Sequence, residues 1–182
     1  MRKIIVSEFL SLDGVMEEPA WTAPYWNNEI AKFKAGEDLF TDALLIGRVT
    51  YDAFSKAWPS RTDEESGGAR MNSLPKYVVS TTLQNPEWNN SHVISGNVVD
   101  EIKKLKQQDG KDLLLYGSNM LVQTLMQNDL VDQYSLLIYP IVLGTGRKLF
   151  QEGSPNTPLK LVNSQTFSNG VTAVVYEPDR SK

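Results

Sequence analysis

Cysteine is absent from this 182-residue chain, and histidine occurs once, as His92. The first absence excludes disulfides, zinc–thiolate sites, iron–sulfur clusters and a cysteine nucleophile. The second excludes a His-rich metal site and rests any Ser-His-Asp triad on His92 alone, which argues against one, since a lone histidine is more often structural or at the surface. Excess positive charge is lacking too. Eighteen lysines and arginines stand against 22 aspartates and glutamates, a formal net charge of −4, so no basic field exists to hold nucleic-acid phosphates. Any bound anion must be held by local groups. Long apolar runs are missing as well. The N-terminal stretch MRKIIVSEFLSLDG is interrupted at Ser7 and Glu8, which suits neither a signal peptide nor a membrane span. The cytoplasm is therefore the expected location, with no nucleic-acid and no membrane partner.

What is present is an ordinary globular composition, and the length suits a single domain over residues 1–182 with room for a ligand cleft. Residues 3–10 read as a buried, β-branched strand. The Pro- and Trp-rich stretch 15–27 reads as a loop, followed by a helix over 28–36 capped by Asn27 or Asn28, with Ile30 and Phe33 on one face. A strand at 43–46 leads into a helix at 49–56. The Gly- and Ser-rich segment 59–75 reads as an excursion. Strands follow at 76–80 and 92–95, then a helix over 98–108 capped by Asn97, a strand at 112–116, and a helix capped by Ser118 with Leu121, Val122 and Leu125 inward. A long strand at 132–142 is broken by Pro140. Two alternating segments flank Ser168-Asn169-Gly170, a hairpin signal. The expected architecture is a mainly parallel α/β sheet closed at one edge by an antiparallel hairpin.

Two strand–glycine–helix junctions carry the chemistry, 44-LLIGRVT-50 and 113-LLLYGSNM-120. Ligands of open α/β sheets settle beyond the carboxyl ends of strands. Glycine lets a ligand approach the backbone, and a helix N-terminus offers unpaired N–H groups and partial positive charge to phosphate. Arg48 adds a guanidinium and Thr50 a hydroxyl at the first junction, and Ser118 and Asn119 add short donors at the second. Each junction alone reads equally as a structural turn; the pair suits an extended, phosphate-bearing ligand. By contrast, 143-LGTGRKLF-150 lacks the third glycine of G-x-G-x-x-G, because Leu149 holds that place, and it lies late in the chain. A Rossmann fingerprint is rejected there in favour of a bend. Asp13, in the SLDG turn, is either an Asx-type turn residue or an acid facing the cleft. Glu29 is either a solvated acid in a first helical turn or a proton donor. Trp21 and Trp26 either pack a lid or stack on a planar substrate, and Tyr116 is either packing or a hydrogen-bond donor.

Taken in order, SLDG, LLIGRVTYDAF, KYVVSTTL, LLLYGSNMLVQTLM and VDQYSLLIYPIVLGTGRKLF resemble dihydrofolate-reductase-like proteins. The nearest likeness is to the reductase domain of bifunctional riboflavin-biosynthesis deaminase–reductases and its stand-alone bacterial relatives. The resemblance implies a dihydrofolate-reductase-like fold that binds NADPH. Gly47, Arg48 and Thr50 would hold phosphates, and Ser80 and Thr81 would lie by the adenosine 2′-phosphate. Gly117, Ser118, Asn119 and Met120 would cradle the pyrophosphate and nicotinamide side, with Ser118 standing where the family usually has a second glycine. Leu12, Asp13 and Gly14 would close on the nicotinamide. Glu29 falls at the acid that helps protonate the pterin in true folate enzymes. No deaminase domain is expected alongside the reductase domain. The implied activity is NADPH-dependent reduction of a small planar, pteridine- or pyrimidine-like substrate, with Trp21, Trp26 and Tyr116 at the substrate, Glu29 or Asp13 supplying the proton and no metal. The alternatives are a non-catalytic nucleotide-binding protein and a true dihydrofolate reductase. The family's habit of pairing subunits through late strands implies a homodimer; apolar Leu136, Leu137, Ile138 and Tyr139 suit either that contact or a buried strand.

Overall fold

In the computed structural model, which describes residues 1–63 and 67–181, all eight strands join one sheet. In chain order the elements are β1 (Ile4–Ser11), α1 (Asn28–Asp38), β2 (Thr41–Gly47), α2 (Arg48–Ala57), α3 (Gly68–Ser73), β3 (Lys76–Val79), β4 (Ser91–Ile94), α4 (Val98–Gln107), β5 (Asp112–Tyr116), α5 (Asn119–Gln127), β6 (Gln133–Tyr139), β7 (Leu159–Thr166) and β8 (Thr172–Pro178). The spatial order is β4-β3-β2-β5-β1-β6-β8-β7. The first six strands in that order run parallel, while β8 pairs antiparallel with β6 and β7 antiparallel with β8.

Parallel strands covered on both faces read as unbroken apolar runs, and Leu113, Leu114 and Leu115 of β5 are all buried. On one face they meet Ile102 and Leu105 of α4 and Leu121, Val122 and Leu125 of α5. On the other, Ile5, Leu44, Ile46 and Leu114 pack with Tyr51, Met71 and Trp88, while Ile30 of α1 packs with Leu137, Tyr139 and Phe167. Full burial of one such leucine contributes about 2–3 kcal/mol, so the sheet's centre supplies much of the stability.

Local chemistry sets several boundaries. Asn27 caps α1 by accepting the Ile30 amide at 2.9 Å. Pro140 cannot donate to a ladder, and β6 stops at Tyr139. Gly170 takes φ 85° in the hairpin turn. Other expectations are corrected. Pro19–Tyr25 forms a 3-10 helix where a loop was expected. The 59–75 segment contains α3, whose Met71 is buried; its residues 64–66 lie outside the described residues. Neither Asn97 nor Ser118 caps its helix with a side chain, because both sit in the left-handed region, at φ 46° and 56°. Of the two readings open for the apolar run in β6, the buried strand holds: it lies between β1 and β8, and Leu136, Leu137 and Tyr139 are buried within the subunit. Among the described residues no helix is long and apolar enough to cross a membrane, and no group of three His, Asp or Glu side chains could hold a metal ion.

Candidate functional site

Strands β2 and β5 are neighbours, with Ile46 opposite Tyr116, so Gly47 and Gly117 end adjacent strands. The two corners interlock. A Cβ at Gly47 would lie 2.0 Å from Ser118 Oγ, and one at Gly117 would lie 2.3 Å from Thr50 Oγ1. Gly117 and Ser118 both take positive φ, 63° and 56°. That bend throws Ser118 across to Gly47 and away from its own helix, which explains the missing cap. Both α2 and α5 begin without a side-chain cap. Their first-turn N–H groups, which a helix cannot pair internally, open at one place. The two junctions therefore meet, and the space a Cβ would take at each glycine is filled by a side chain of the other corner.

Arg48 stands at the rim. Its Nε donates to both carboxylate oxygens of Asp52 at 2.9 Å, and its Nη1 donates to Thr82 Oγ1 at 3.2 Å. Its guanidinium is thereby stretched towards the end of β3 while its side chain stays 39% exposed. Ser80 is buried, and its hydroxyl accepts the amides of Thr82 and Leu83 at 3.2 and 3.0 Å. It shapes the turn, while Thr81 beside it is exposed. Thr82, the residue that touches Arg48, went unnoticed in the sequence.

The SLDG turn lies over β1's end and is pinned to the 143–149 segment. Asp13 accepts the amides of Leu143 and Gly144 at 3.1 and 2.9 Å and the Ser11 hydroxyl at 2.7 Å. Val15 bridges to Lys148 and Met16 N donates to Arg147 O. At φ 114°, a Cβ on Gly146 would strike Val15 Cγ1 at 2.6 Å, so L-G-T-G is indeed a bend, packed under the turn. Asn119 serves the same scaffold: its amide donates to Lys148 O at 2.5 Å and accepts from Gln151 at 2.8 Å. Leu12 of the turn, Val49 in the first turn of α2 and Met120 in that of α5 all project apolar side chains into solvent.

The two carboxylates expected to supply protons are both committed elsewhere. The Ser11 hydroxyl and the two loop amides lower Asp13 to about 2, so it stays ionised. Glu29 accepts the Ser168 hydroxyl and, at 2.9 Å, the Ser168 amide. It ties α1 to the β7–β8 turn, on the far side of β6 from the cradle, and is not brought to the site. Trp21 packs edge-on against Tyr139 at 5.4 Å. Trp26 meets Phe9 edge-on at 6.4 Å and remains half exposed.

Two features escaped the sequence reading. Beneath α1, Lys34 Nζ donates to Glu37 at 2.6 Å and to Ser7 at 2.5 Å, and Glu37 also accepts from the hydroxyls of Ser7 and Ser135. The Lys34 ammonium lies 4.5 Å from the centroid of the Tyr116 ring. Burial acts to lower the Lys34 pKa, but Tyr116 and Glu37 hold it above the usual lysine range. Burial lifts the Tyr116 phenol to about 12, against the pull of Lys34. The second feature is Glu8, 7% exposed, on the β1 face that also carries Val6 and Leu10. Burial raises it to about 8, opposed mainly by the Gly117 amide. The signal was available: Ile4, Val6, Glu8 and Leu10 share a face at period two, and a carboxyl among them cannot reach water easily.

Residues 2–173 match the RibD C-terminal domain family. The chain belongs to that family. The chain is 36% identical over 185 residues to the uncharacterized protein YyaP of Bacillus subtilis, covering 96% of this chain and 94% of that one. Among solved structures, a Shewanella sp. PV-4 protein named for riboflavin biosynthesis superposes with TM-score 0.80 at 24% identity, covering 98% and 99% of the two chains. The Thermotoga maritima diaminohydroxyphosphoribosylaminopyrimidine deaminase/5-amino-6-(5-phosphoribosylamino)uracil reductase gives TM-score 0.67 at 16% identity, over 97% of this chain and 56% of that one. Enterococcus faecalis dihydrofolate reductase, complexed with NADP(H) and RAB-propyl, gives 0.62 at 14% identity over 97% and 96%. The fold is dihydrofolate-reductase-like.

Proposed function

We propose that this RibD C-terminal domain protein is an NADPH-dependent reductase of a small planar substrate, similar in kind to the uracil reduction of riboflavin biosynthesis. One observation carries the proposal: the interlock of Gly47 with Ser118 and of Gly117 with Thr50, which sets two uncapped helix starts side by side beneath an exposed arginine. Family membership supports a reductase, and the NADP(H) held by a like-folded enzyme supports the choice of carrier.

NADPH would supply the hydride when bound. The chain's own part is to hold and orient. Arg48 and the first-turn amides of α2 would meet phosphate, with the Thr50 hydroxyl beside them, and Thr81, exposed next to the Thr82 that Arg48 touches, would meet a second phosphate. The Gly117–Met120 corner faces the middle of the carrier. Leu12 and Gly14 of the SLDG turn, fixed by Asp13, cover the ring end and exclude water. Trp26 and Tyr116 would border the substrate, with Trp21 packed on Tyr139. Asp13, held ionised, positions the turn rather than donating a proton.

A non-catalytic nucleotide-binding role draws support from those same two committed carboxylates. One experiment separates the readings. NADPH binding is measured by titration calorimetry, and NADPH oxidation is then followed with a pyrimidine ribosylamine phosphate, dihydrofolate and a carbonyl panel. Oxidation with the first substrate supports the reductase. Binding with no oxidation across the panel supports the binding protein, and absence of binding removes both.

Subunit pairing belongs at the sheet's edge. All of β7 is exposed, with Leu161 and Val162 about half so, and an unpaired apolar edge invites a partner strand. A homodimer through β7 predicts twice the monomer mass in light scattering; a monomeric mass at high concentration refutes it.

A further inference from the structure

Glu8 is the one carboxyl at the cradle with an oxygen that nothing satisfies. Its residue is more than nine-tenths buried, and Oε1 has no hydrogen-bond partner among the described residues. The backbone amide directed at it belongs to Gly117, the glycine at the tip of the second corner. Among the described residues no cation forms an ion pair with it. Lys34, the nearest lysine acting on it, is paired with Glu37, which itself adds negative charge. On the face that covers Glu8, α5 has no charged residue. The buried Lys106 of α4 is tied to Asp132, beside Ile4 at the opposite end of β1. Arg147 in the pinned segment pairs with Glu17, and Lys148 is exposed. A buried carboxylate with one amide donor and no counter-ion is poorly solvated, and a second anion nearby penalises its charged form further.

We propose that Glu8 is the proton-carrying residue of the cradle: when a phosphate-bearing dinucleotide seats on the β5–α5 corner, Glu8 takes up a proton from solvent and remains neutral while the ligand is bound. This rests on the dinucleotide-binding role proposed for the corners. Neutral Glu8 removes like-charge repulsion from beneath the ligand. It also loosens its hold on the Gly117 amide, which then turns to the ligand. The burial-driven rise of Glu8 to about 8 in the free protein places the uptake at mildly alkaline pH, where the ligand phosphates are fully ionised. Glu8 touches the backbone that holds the ligand and acts through it, so it is a positioning residue.

The test is calorimetric titration of the intact protein with NADPH at mildly alkaline pH, in two buffers of different ionisation enthalpy, for wild type and Glu8→Gln. The expected result is net proton uptake by the wild type, with affinity falling by up to about tenfold per pH unit above the Glu8 transition. In Glu8→Gln, which keeps the shape and a neutral side chain, uptake is absent and affinity is level with pH. NADPH binding without uptake, or uptake that persists in Glu8→Gln, overturns the assignment and leaves the cofactor reading intact. Absence of NADPH binding at any pH overturns both. Should the variant fail to fold, the wild-type buffer comparison alone decides: equal heats in both buffers sink the proposal.

Discussion

The cradle and the buried network under α1 lie on adjacent strands yet handle polar groups in opposite ways. Under α1, Lys34, Glu37, Ser7 and Ser135 satisfy one another, and the ion pair is only 13% and 8% exposed. At the cradle, two helix starts are uncapped, Arg48 is well exposed, and Glu8 keeps an orphan oxygen. The difference separates what holds a fold from what waits for a ligand. Polar groups that stabilise the protein find partners within it; those that bind something leave part of their capacity open, at some cost to stability.

Breaking the network should produce the largest effect. Glu37→Ala strands a buried ammonium, and removal of one partner from such a pair costs about 3–5 kcal/mol. Urea denaturation should register it as a lower midpoint at unchanged slope. A change below about 1 kcal/mol would mean that the pair is solvated and the contrast false.

Next comes the pH dependence of stability. Glu8 is raised in the folded protein from its ordinary 4.5 to about 8. The native state therefore keeps a proton that the unfolded chain has released. The stability this gives is complete below the unfolded value and is lost as pH rises through about 8, a change of a few kcal/mol. Glu8→Gln should flatten the profile in that window and leave the network untouched; an unchanged profile would mean that Glu8 ionises freely.

Smaller again is Gly47→Ala. The new Cβ meets Ser118 Oγ at 2.0 Å and Ser118 Cβ at 2.5 Å, and overpacking of this kind costs about 1–3 kcal/mol. NADPH binding should weaken alongside. Ser118→Gly in the same chain should restore much of the stability, since the clash is with that side chain; no recovery would show that the corners are not in contact.

Much of this was legible in the chain. The parallel strands announced themselves as apolar runs, the hairpin as Asn169-Gly170, and the two glycine corners as a pair whose adjacency the register of β2 with β5 bears out. What stayed hidden depended on contacts distant in sequence. Ser7 and Ser135 meet Glu37 across 30 and 98 positions, and no local pattern marks that meeting. Glu29 carried a helix-start signal, yet Ser168 claims it from 139 residues away. Ser118 looked like a cap because its residue type favours one; its positive φ, imposed where two strands end together, gave it another contact. The apolar run in β6 suited either a subunit contact or an interior strand, and only the strand order decides between them.

Arg48→Ala should have the least effect on stability, below about 1 kcal/mol, because its pair with Asp52 is exposed. The same substitution also bears most directly on the cradle. Loss of a charge-assisted phosphate contact weakens binding by about tenfold to a hundredfold. Calorimetric titration of wild type and Arg48→Ala with NADPH should give a saturating isotherm for the first and that loss for the second, with folding intact in both. Equal affinities, or no binding by the wild type, would contradict the assignment of the joined corners as the seat of a dinucleotide.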